Sequence, residues 1–278
     1  MKIELASNYG FCYGVKRAIE IAEKHKDSFT YGPLIHNKDE INRLKEGFNI
    51  GLVEKIEDIE NDNAVVIRTH GIPKEELALL KQQENQIIDA TCPYVTTPQN
   101  IVEKMSNEGY SIVIFGDKAH PEIKGVVSYA AKQHDAFIVL EEEELKGLPL
   151  RSKVALVSQT TKKPEDFLKI VNALILTQRE VRVFNTICNA TFENQDAAAD
   201  LAQKADVMII IGGKHSSNTK MLHSISKKDC ENSYLIENET ELEAKWFKNK
   251  KLCGISAGAS TPDWIVQNVI NGIQEIKK

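Results

Sequence analysis

The sequence predicts an α/β protein with three pseudo-threefold-related domains, arranged as a trefoil around a central cavity. Three of the five cysteines, Cys12, Cys92 and Cys188, are 80 and 96 residues apart, and 90 residues follow the last of them. Each follows a short strand-like run and precedes a segment with helical character. A repeat of about 90 residues is too long for a solenoid, so we expect a closed set of three domains.

Each predicted unit places a strand before its cysteine and a helix after it. The strand-like runs are Ile3–Ala6, Gln86–Asp89 and Val181–Phe184. After Cys12, apolar residues recur with the spacing of an amphipathic helix. They are Val15, Ala18, Ile19 and Ala22. Cys92 is followed by Pro93, a favoured first residue of a helix.

Two further landmarks repeat in step with the cysteines. In each unit a glycine is followed four residues later by a polar residue. This polar residue lies 24 to 28 positions after the cysteine. The pairs are Gly32 and His36, Gly116 and His120, and Gly212 and Ser216. Another strand then runs into a polar segment, and these strands are Ala64–Arg68, Lys153–Val157 and Lys251–Ile255. Because open α/β sheets bind ligands at the carboxyl ends of strands, we expect these polar residues to line the cavity.

The domain boundaries are predicted near residues 92 and 187. The three units are then residues 1–92, 93–186 and 187–278. Each unit is small for an independent fold, and each brings one cysteine to the shared cavity.

Composition and charge exclude several classes of protein. Of the 278 residues, 42% are hydrophobic and 27% are charged, the balance of an ordinary globular protein. The net charge of -5 argues against a nucleic-acid partner or an anionic membrane surface. No apolar run approaches 18 residues, and the first ten residues lack the apolar core of a signal peptide. We therefore expect a cytoplasmic protein with neither nucleic-acid nor membrane partners.

Five cysteines in a reducing compartment do not indicate a disulfide framework. Cys230 and Cys253 fall outside the repeat, and we interpret them as core residues. Three convergent thiolates need a soft metal partner, because they would otherwise repel one another. Zinc with an open position and an iron–sulfur cluster with one iron not bound by cysteine both satisfy this requirement. The absence of a fourth in-step cysteine argues against a simple electron carrier.

The polar residues at the predicted strand ends indicate the class of ligand. Imidazole, hydroxyl and amide groups wrap phosphate oxygens through hydrogen bonds, aided by helix N-termini. The predicted set is His36, His70, His120, Thr160, Ser216, Ser217, Asn218 and Ser260.

Glu122 is the candidate acid or base. It lies two residues after His120 at a predicted helix start, where Pro121 is at home. A carboxylate in a first turn also suits a simple capping role. Beside a reducing cluster, and with a pKa raised by burial, it would instead supply protons directly or through a substrate hydroxyl or a neighbouring threonine.

Nine motifs occur in order along the chain. They are Gly10-Phe11-Cys12-Tyr13-Gly14-Val15, Leu34-Ile35-His36-Asn37, Arg68-Thr69-His70-Gly71-Ile72-Pro73, Asp89-Ala90-Thr91-Cys92-Pro93, His120-Pro121-Glu122, Ser158-Gln159-Thr160-Thr161, Ile187-Cys188-Asn189-Ala190-Thr191, Ser216-Ser217-Asn218 and Ala257-Gly258-Ala259-Ser260. Together they resemble the 4-hydroxy-3-methylbut-2-enyl diphosphate reductase family (IspH/LytB family), which acts last in the methylerythritol phosphate, or non-mevalonate, route to isoprenoids. The match runs from residue 10 to about residue 268.

The resemblance implies a cofactor and residue roles. Cys12, Cys92 and Cys188 would hold one [4Fe–4S] cluster, whose open fourth iron binds the C4 hydroxyl oxygen of the substrate. Glu122 and Thr160 would deliver protons, and the predicted polar set would bind the small allylic diphosphate.

The implied reaction is a reductive dehydroxylation. Two electrons and two protons convert the substrate to isopentenyl or dimethylallyl diphosphate, and the hydroxyl group leaves as water. A ferredoxin or flavodoxin is expected as electron donor, because the chain has no Gly-x-Gly-x-x-Gly fingerprint of a bound nicotinamide or flavin.

Two alternatives stay open from the residues. A dehydratase of the quinolinate synthase type also has three repeats and three cysteines, but it promotes loss of water without net reduction. A non-catalytic sensor would use the open iron to detect oxidants, and it has no need of a dense set of diphosphate ligands.

Overall fold

The computed structural model describes residues 1–35 and 37–276, apart from the side chain of Ser217. Within these residues the strands are β1 (Lys2–Leu5), β2 (Phe29–Tyr31), β3 (Gly51–Val53), β4 (Ala64–Ile67), β5 (Gln86–Asp89), β6 (Ser111–Phe115), β7 (Ala136–Val139), β8 (Lys153–Ser158), β9 (Glu180–Val183), β10 (Val207–Ile211), β11 (Ser233–Ile236) and β12 (Leu252–Ala257). The α-helices are α1 (Tyr13–Lys24), α2 (Lys38–Phe48), α3 (Lys74–Gln82), α4 (Pro93–Asn107), α5 (Pro121–Ser128), α6 (Pro164–Thr177), α7 (Asn189–Ala202), α8 (Ser217–Asp229) and α9 (Asp263–Ile276). In the part of the chain that is described, none of the helices is long and apolar enough to cross a membrane.

The strands form three parallel sheets of the same topology. In the described chain the first sheet has the order β3-β2-β4-β5, the second β7-β6-β8-β9 and the third β11-β10-β12-β1. Helices connect successive strands of each sheet, as parallel pairing requires. The predicted α/β class with three related units is therefore confirmed.

The first strand of the chain completes the third sheet. β1 pairs in parallel with β12, so that Lys2 lies opposite Leu252 and Leu5 lies opposite Ile255. β1 thus has the same edge position as β5 and β9, which also precede a cysteine. Each sheet therefore carries the cysteine that follows its edge strand. The domain boundaries near residues 92 and 187 stay a prediction.

The chain divides into two compact units. The third-sheet unit comprises Met1–Ile19, Ile35–Phe48 and Asn189–Lys278. The two-sheet unit comprises Glu20–Leu34 and Asn49–Cys188, and it contains the first and second sheets.

The central strands are buried because helices cover both faces of each sheet. All residues of β6 and of β10 are buried, which explains why residues 112–115 and 207–211 are continuous apolar runs. One face of β10 contributes to a cluster that includes Val207, Ile209, Ile211, Ile265, Val269 and Ile273. The opposite face contributes to a cluster that includes Ala198, Leu201, Met208, Ile210 and Leu222.

Gly254 of β12 leaves room for this second cluster. An added Cβ would clash with Met208 Sδ and would lie 2.8 Å from Leu201 Cγ. We expect Gly254→Ala to lower the free energy of unfolding by about 1–3 kcal/mol through overpacking, as measured by the midpoint of denaturant unfolding. Gly47→Ala in α2 is the control, since among the described residues no atom beyond its chain neighbours and its own helix backbone lies within 4 Å of the added Cβ. An unchanged midpoint for Gly254→Ala would contradict this packing.

Candidate active site

The predicted polar residues follow the two central strands of each sheet, and the topological switch point of the sheet lies between these strands. The two central strands of every sheet are neighbours, and their connections to the next strands leave in opposite directions. Open α/β sheets bind ligands outside the carboxyl ends of such strands. His70 follows β4, His120 and Thr160 follow β6 and β8, and Ser216 and Ser260 follow β10 and β12. The prediction for His36 lies outside the described residues.

His120 begins helix α5 and stands beside His70 in the two-sheet unit. Its Nδ1 accepts a hydrogen bond of 3.2 Å from the backbone N–H of Glu122, which caps the helix. A neutral imidazole that accepts at Nδ1 carries its proton at Nε2, and that N–H is a donor suited to an anion. The ring centroids of His70 and His120 are 5.4 Å apart in an edge-to-face arrangement.

Glu122 and Thr160 form a buried hydrogen-bonded pair at the carboxyl end of the second sheet. Glu122 Oε1 accepts from the backbone N–H of Thr160 at 2.8 Å, and Oε2 accepts from the Thr160 hydroxyl at 2.7 Å. Both side chains are buried, Glu122 with only 1% of its surface exposed. The cap of α5 is His120, so the carboxylate of Glu122 is not used as the cap of its own helix.

The environment of Glu122 favours its protonated form. Burial raises the pKa of the carboxyl group, and this effect exceeds the opposing influence of the two hydrogen bonds from Thr160. A protonated carboxyl group that touches a hydroxyl is able to pass a proton through that hydroxyl to a third group.

Gln159 connects the two loops that carry this pair, a role that its place in a motif did not reveal. Its Oε1 accepts from the backbone N–H of Asp117 at 3.0 Å, and its Nε2 donates to Thr161 Oγ1 at 3.2 Å. Gln159 is buried. The only sequence signal was a polar residue directly after an apolar strand.

Cys92 and Cys188 lie in the two-sheet unit at the starts of helices. Cys92 is the N-cap residue of α4, and its N–H donates to the carbonyl of Thr69 at 3.0 Å. Cys188 precedes α7, and its N–H donates to the carbonyl of Thr160 at 2.8 Å. Both thiols are half-buried and free of disulfides. The positive end of a helix dipole favours the thiolate, which is the form that binds iron.

Cys12 has the corresponding position in the third-sheet unit. It precedes α1, it is half-buried and not in a disulfide, and its N–H donates to the carbonyl of Ala259 at 3.3 Å. Cys230 and Cys253 are buried instead, which agrees with their interpretation as core residues.

The three accessible cysteines suit an iron–sulfur cluster in their chemistry. In the described residues no three cysteine, histidine or carboxylate side chains are grouped closely enough to hold one metal ion. A cluster does not require such a group, because each cysteine binds a different iron. Convergence of the three cysteines stays a prediction.

Asn218, Ser226 and Ser256 of the third-sheet unit have buried side-chain polar atoms without a hydrogen-bond partner among the described residues, and of these only Asn218 belongs to the predicted polar set. Its side-chain nitrogen and oxygen are both buried, and neither has a hydrogen-bond partner among the residues that the structure describes. Buried amide groups normally find partners, so this position points to a ligand. Ser216 caps α8 by accepting from the N–H of Thr219, and Ser260 is half-buried after β12. The side chain of Ser217 lies outside the described part of the structure.

Comparison with protein families decides the assignment. A model of the LytB protein family matches residues 3–274, almost the whole chain. The chain belongs to the LytB family. The resemblance recognised from the nine motifs is therefore confirmed.

Relatives and solved structures match over their whole length or most of it. The chain is 77% identical over 277 residues to the 4-hydroxy-3-methylbut-2-enyl diphosphate reductase of a Sulfurovum species, with 100% of both chains covered. It is 64% identical to the reductase of the same name from a Nitratiruptor species, also with 100% of both chains covered. A solved (E)-4-hydroxy-3-methylbut-2-enyl diphosphate reductase, described as the terminal enzyme of the non-mevalonate pathway, is 42% identical, with a TM-score of 0.80 over 99% of this chain and 100% of that one. A solved E-1-hydroxy-2-methyl-but-2-enyl-4-diphosphate reductase from Plasmodium falciparum is 27% identical, with a TM-score of 0.84 over 97% of this chain and 86% of that one.

Membership of the LytB family confirms several expectations at the level of the family. The family consists of iron–sulfur enzymes that act on a small diphosphate substrate in isoprenoid biosynthesis. The matches to solved LytB-family structures are consistent with the predicted trefoil arrangement.

Proposed function

We propose that this chain converts (E)-4-hydroxy-3-methylbut-2-enyl diphosphate to isopentenyl and dimethylallyl diphosphate by a two-electron reductive dehydroxylation. The observation that carries the proposal is the buried Glu122–Thr160 pair at the carboxyl end of the second sheet, in a chain of the LytB family. Such a pair suits a reaction that must protonate a leaving hydroxyl group without admitting bulk water.

The cofactor is proposed to be one [4Fe–4S] cluster held by Cys12, Cys92 and Cys188, with the fourth iron open. The support is that these three cysteines are half-buried and form no disulfide, that each stands at a helix start, and that the other two cysteines are buried. When bound, the cluster supplies single electrons and a Lewis-acidic iron.

The diphosphate is proposed to bind through the polar residues at the strand ends. The set is His36, His70, His120, Ser216, Ser217, Asn218 and Ser260. His120 offers an Nε2–H donor because its Nδ1 is occupied by the helix cap. Asn218 offers an amide whose hydrogen-bonding capacity is unused in the described structure. These contacts orient the substrate and hold it during the chemical step.

Protons are proposed to pass from Glu122 through Thr160 to the substrate. The carboxyl group of Glu122 is almost wholly buried, so a proton that leaves it passes to the hydroxyl of Thr160, which lies 2.7 Å away. Protonated Glu122 donates to Thr160 Oγ1, and the Thr160 hydroxyl then donates to the departing oxygen. The C–O bond breaks, water leaves, and two electrons with two protons are consumed for each product.

The raised pKa of Glu122 predicts a pH dependence. A proton donor must carry its proton, so turnover is expected to fall as the pH rises through the elevated pKa of this carboxyl group. Measurement of kcat against pH, with an electron-donating dye whose potential does not depend on pH, tests this. A flat profile across the range in which the enzyme stays folded would contradict the role of Glu122.

A ferredoxin or flavodoxin is proposed as the electron donor, since the chain itself has no nicotinamide or flavin fingerprint. The cytoplasmic location stays a prediction from the sequence.

The experiment that tests the function is anaerobic turnover with reduced viologen dye and the hydroxylated diphosphate. We expect substrate-dependent oxidation of the dye and formation of both five-carbon diphosphates. A protein with an intact cluster that leaves the dye reduced would remove the assignment. Loss of water without dye oxidation would indicate a dehydratase, and absence of any turnover would favour a sensor.

A further inference from the structure

A buried carboxylate outside the proposed proton route lies in the third-sheet unit. Glu40 of α2 has 1% of its surface exposed. Its Oε2 accepts from Arg43 Nε at 2.9 Å and its Oε1 from Arg43 Nη2 at 2.6 Å. The indole Nε1–H of Trp264 donates to Oε2 at 2.8 Å. We call Glu40, Arg43 and Trp264 the carboxylate latch.

The latch joins two segments that are distant in sequence. Glu40 and Trp264 are 224 residues apart. Glu40 lies in the first turn of α2, and its backbone N–H donates to Asn37 Oδ1 at 3.0 Å, so the start of this helix is fixed by Asn37. Asn37 directly follows His36 in the sequence.

The other end of the latch lies beside the loop that carries Ser260. Trp264 is in the first turn of α9, four residues after Ser260. The intervening Thr261 is buried, and its hydroxyl donates to the carbonyl of Ile211 at the end of β10. The loop is therefore rigidly held between β10 and α9, and Trp264 connects it to α2.

Packing alone gives little reason for this arrangement. A buried carboxylate loses its hydration, and an ion pair with partly exposed Arg43 recovers only part of that cost. Apolar residues of similar volume would hold two helices together at least as well. What the latch adds is a fixed direction, because a two-point contact with Arg43 and a single indole donor determine the orientation of the carboxylate.

We propose that Glu40 is a positioning residue for diphosphate binding, because it fixes Asn37 and the start of α2 relative to the loop of Ser260. This proposal rests on the proposed function, in which His36 and Ser260 bind the diphosphate. Glu40 does not touch substrate; it acts through the two segments. Breaking the latch weakens diphosphate binding and leaves the bond-breaking step intact.

Trp264→Phe is the sharpest variant, because it removes the indole donor and keeps an aromatic ring. On the anaerobically purified holoenzyme, we expect the Kd for inorganic pyrophosphate, measured by titration calorimetry, to rise by up to about tenfold, because the free energy of one hydrogen bond to a charged group sets the upper limit of the effect. KM for the substrate should rise by a similar factor while kcat stays within about twofold. Trp246→Phe is the matched control, since Trp246 stacks on Tyr234 in the same unit with ring centroids 4.1 Å apart.

Glu40→Gln and Glu40→Ala form the second test. Glutamine retains an oxygen that can accept from Trp264, so Glu40→Gln should recover part of the pyrophosphate affinity that Glu40→Ala loses. A merely structural residue would lower the melting temperature and kcat together, without this rescue.

The outcomes separate the inference from the proposed function. Wild-type affinity for pyrophosphate in Trp264→Phe would overturn the positioning role. A fall in kcat accompanied by a fall in melting temperature would overturn it as well. Failure of the wild-type enzyme to bind pyrophosphate and to turn over substrate would instead count against the proposed function.

Discussion

Glu122→Gln is expected to lower turnover about 10²- to 10³-fold, the usual size of a general acid contribution. Glutamine keeps the size of the side chain: its amide oxygen can accept the 2.8 Å hydrogen bond from the backbone N–H of Thr160, and its NH2 group can donate to the Thr160 hydroxyl as a protonated carboxyl group does. It has no acidic proton to deliver. Iron content and the Kd for inorganic pyrophosphate should therefore match the wild type, and only kcat should fall.

Two further variants sharpen this prediction. Thr160→Val removes the hydroxyl that passes the proton on to the substrate and should lower kcat to a similar extent. Thr160→Ser retains a hydroxyl and should preserve most turnover. Glu103→Gln is the control, because Glu103 forms a partly exposed ion pair with Lys74. Wild-type kcat in Glu122→Gln would show that this carboxyl group serves only to hold the loop after β8.

Cys188→Ala is expected to abolish turnover and to remove most of the bound iron. The substitution removes one of the three protein ligands of the cluster, and no other cysteine follows the same strand. The wild-type protein, purified without oxygen, should contain about four irons per chain and be brown. Cys12→Ala and Cys92→Ala should behave in the same way.

Cys230→Ala is the matched control for the cysteine series. Cys230 is buried and belongs to the core cluster with Leu222 and Met208, so its loss should lower stability slightly and leave iron content unchanged. Retention of four irons after loss of Cys188 would overturn its assignment as a ligand. A colourless wild-type protein that contains zinc would refute the cluster itself.

Local sequence patterns predicted the strands and the helix starts well. Gln86–Asp89 was predicted with the bounds that the structure gives it, and Ala64–Arg68 and Lys153–Val157 were predicted to within one residue. The helices after Cys12 and Cys92 begin within one residue of the cysteine, where periodicity and Pro93 had indicated a start.

Long-range pairing was beyond the reach of such patterns. The run Ile3–Ala6 was correctly predicted as strand to within one residue, but nothing in it specifies β12 as its neighbour. Membership of a sheet depends on which edge remains free once the rest of the chain has folded. The position of β1 next to Leu252–Ala257 is understandable only after the order of all three sheets is known.

The candidate site was predictable in its residue types and less so in its connections. The position of Glu122 allowed both a helix cap and a proton donor, and its 2.7 Å contact with Thr160 favours the second. The connecting role of Gln159 and the contact of Glu40 with Trp264 join residues that are far apart in sequence, so no local pattern signals them. The unsatisfied amide of Asn218 is likewise visible only once burial is known.

The ratio of dye oxidised to product formed tests the central claim most directly. With the iron-loaded protein, limiting hydroxylated diphosphate and excess reduced viologen, a one-electron donor, the proposed reaction consumes about two dye molecules for each isopentenyl or dimethylallyl diphosphate formed, because the C–O bond is cleaved with two electrons. The measurement combines dye absorbance with quantification of both products by mass spectrometry. A ratio near two supports the account, and product formation without dye oxidation would contradict it.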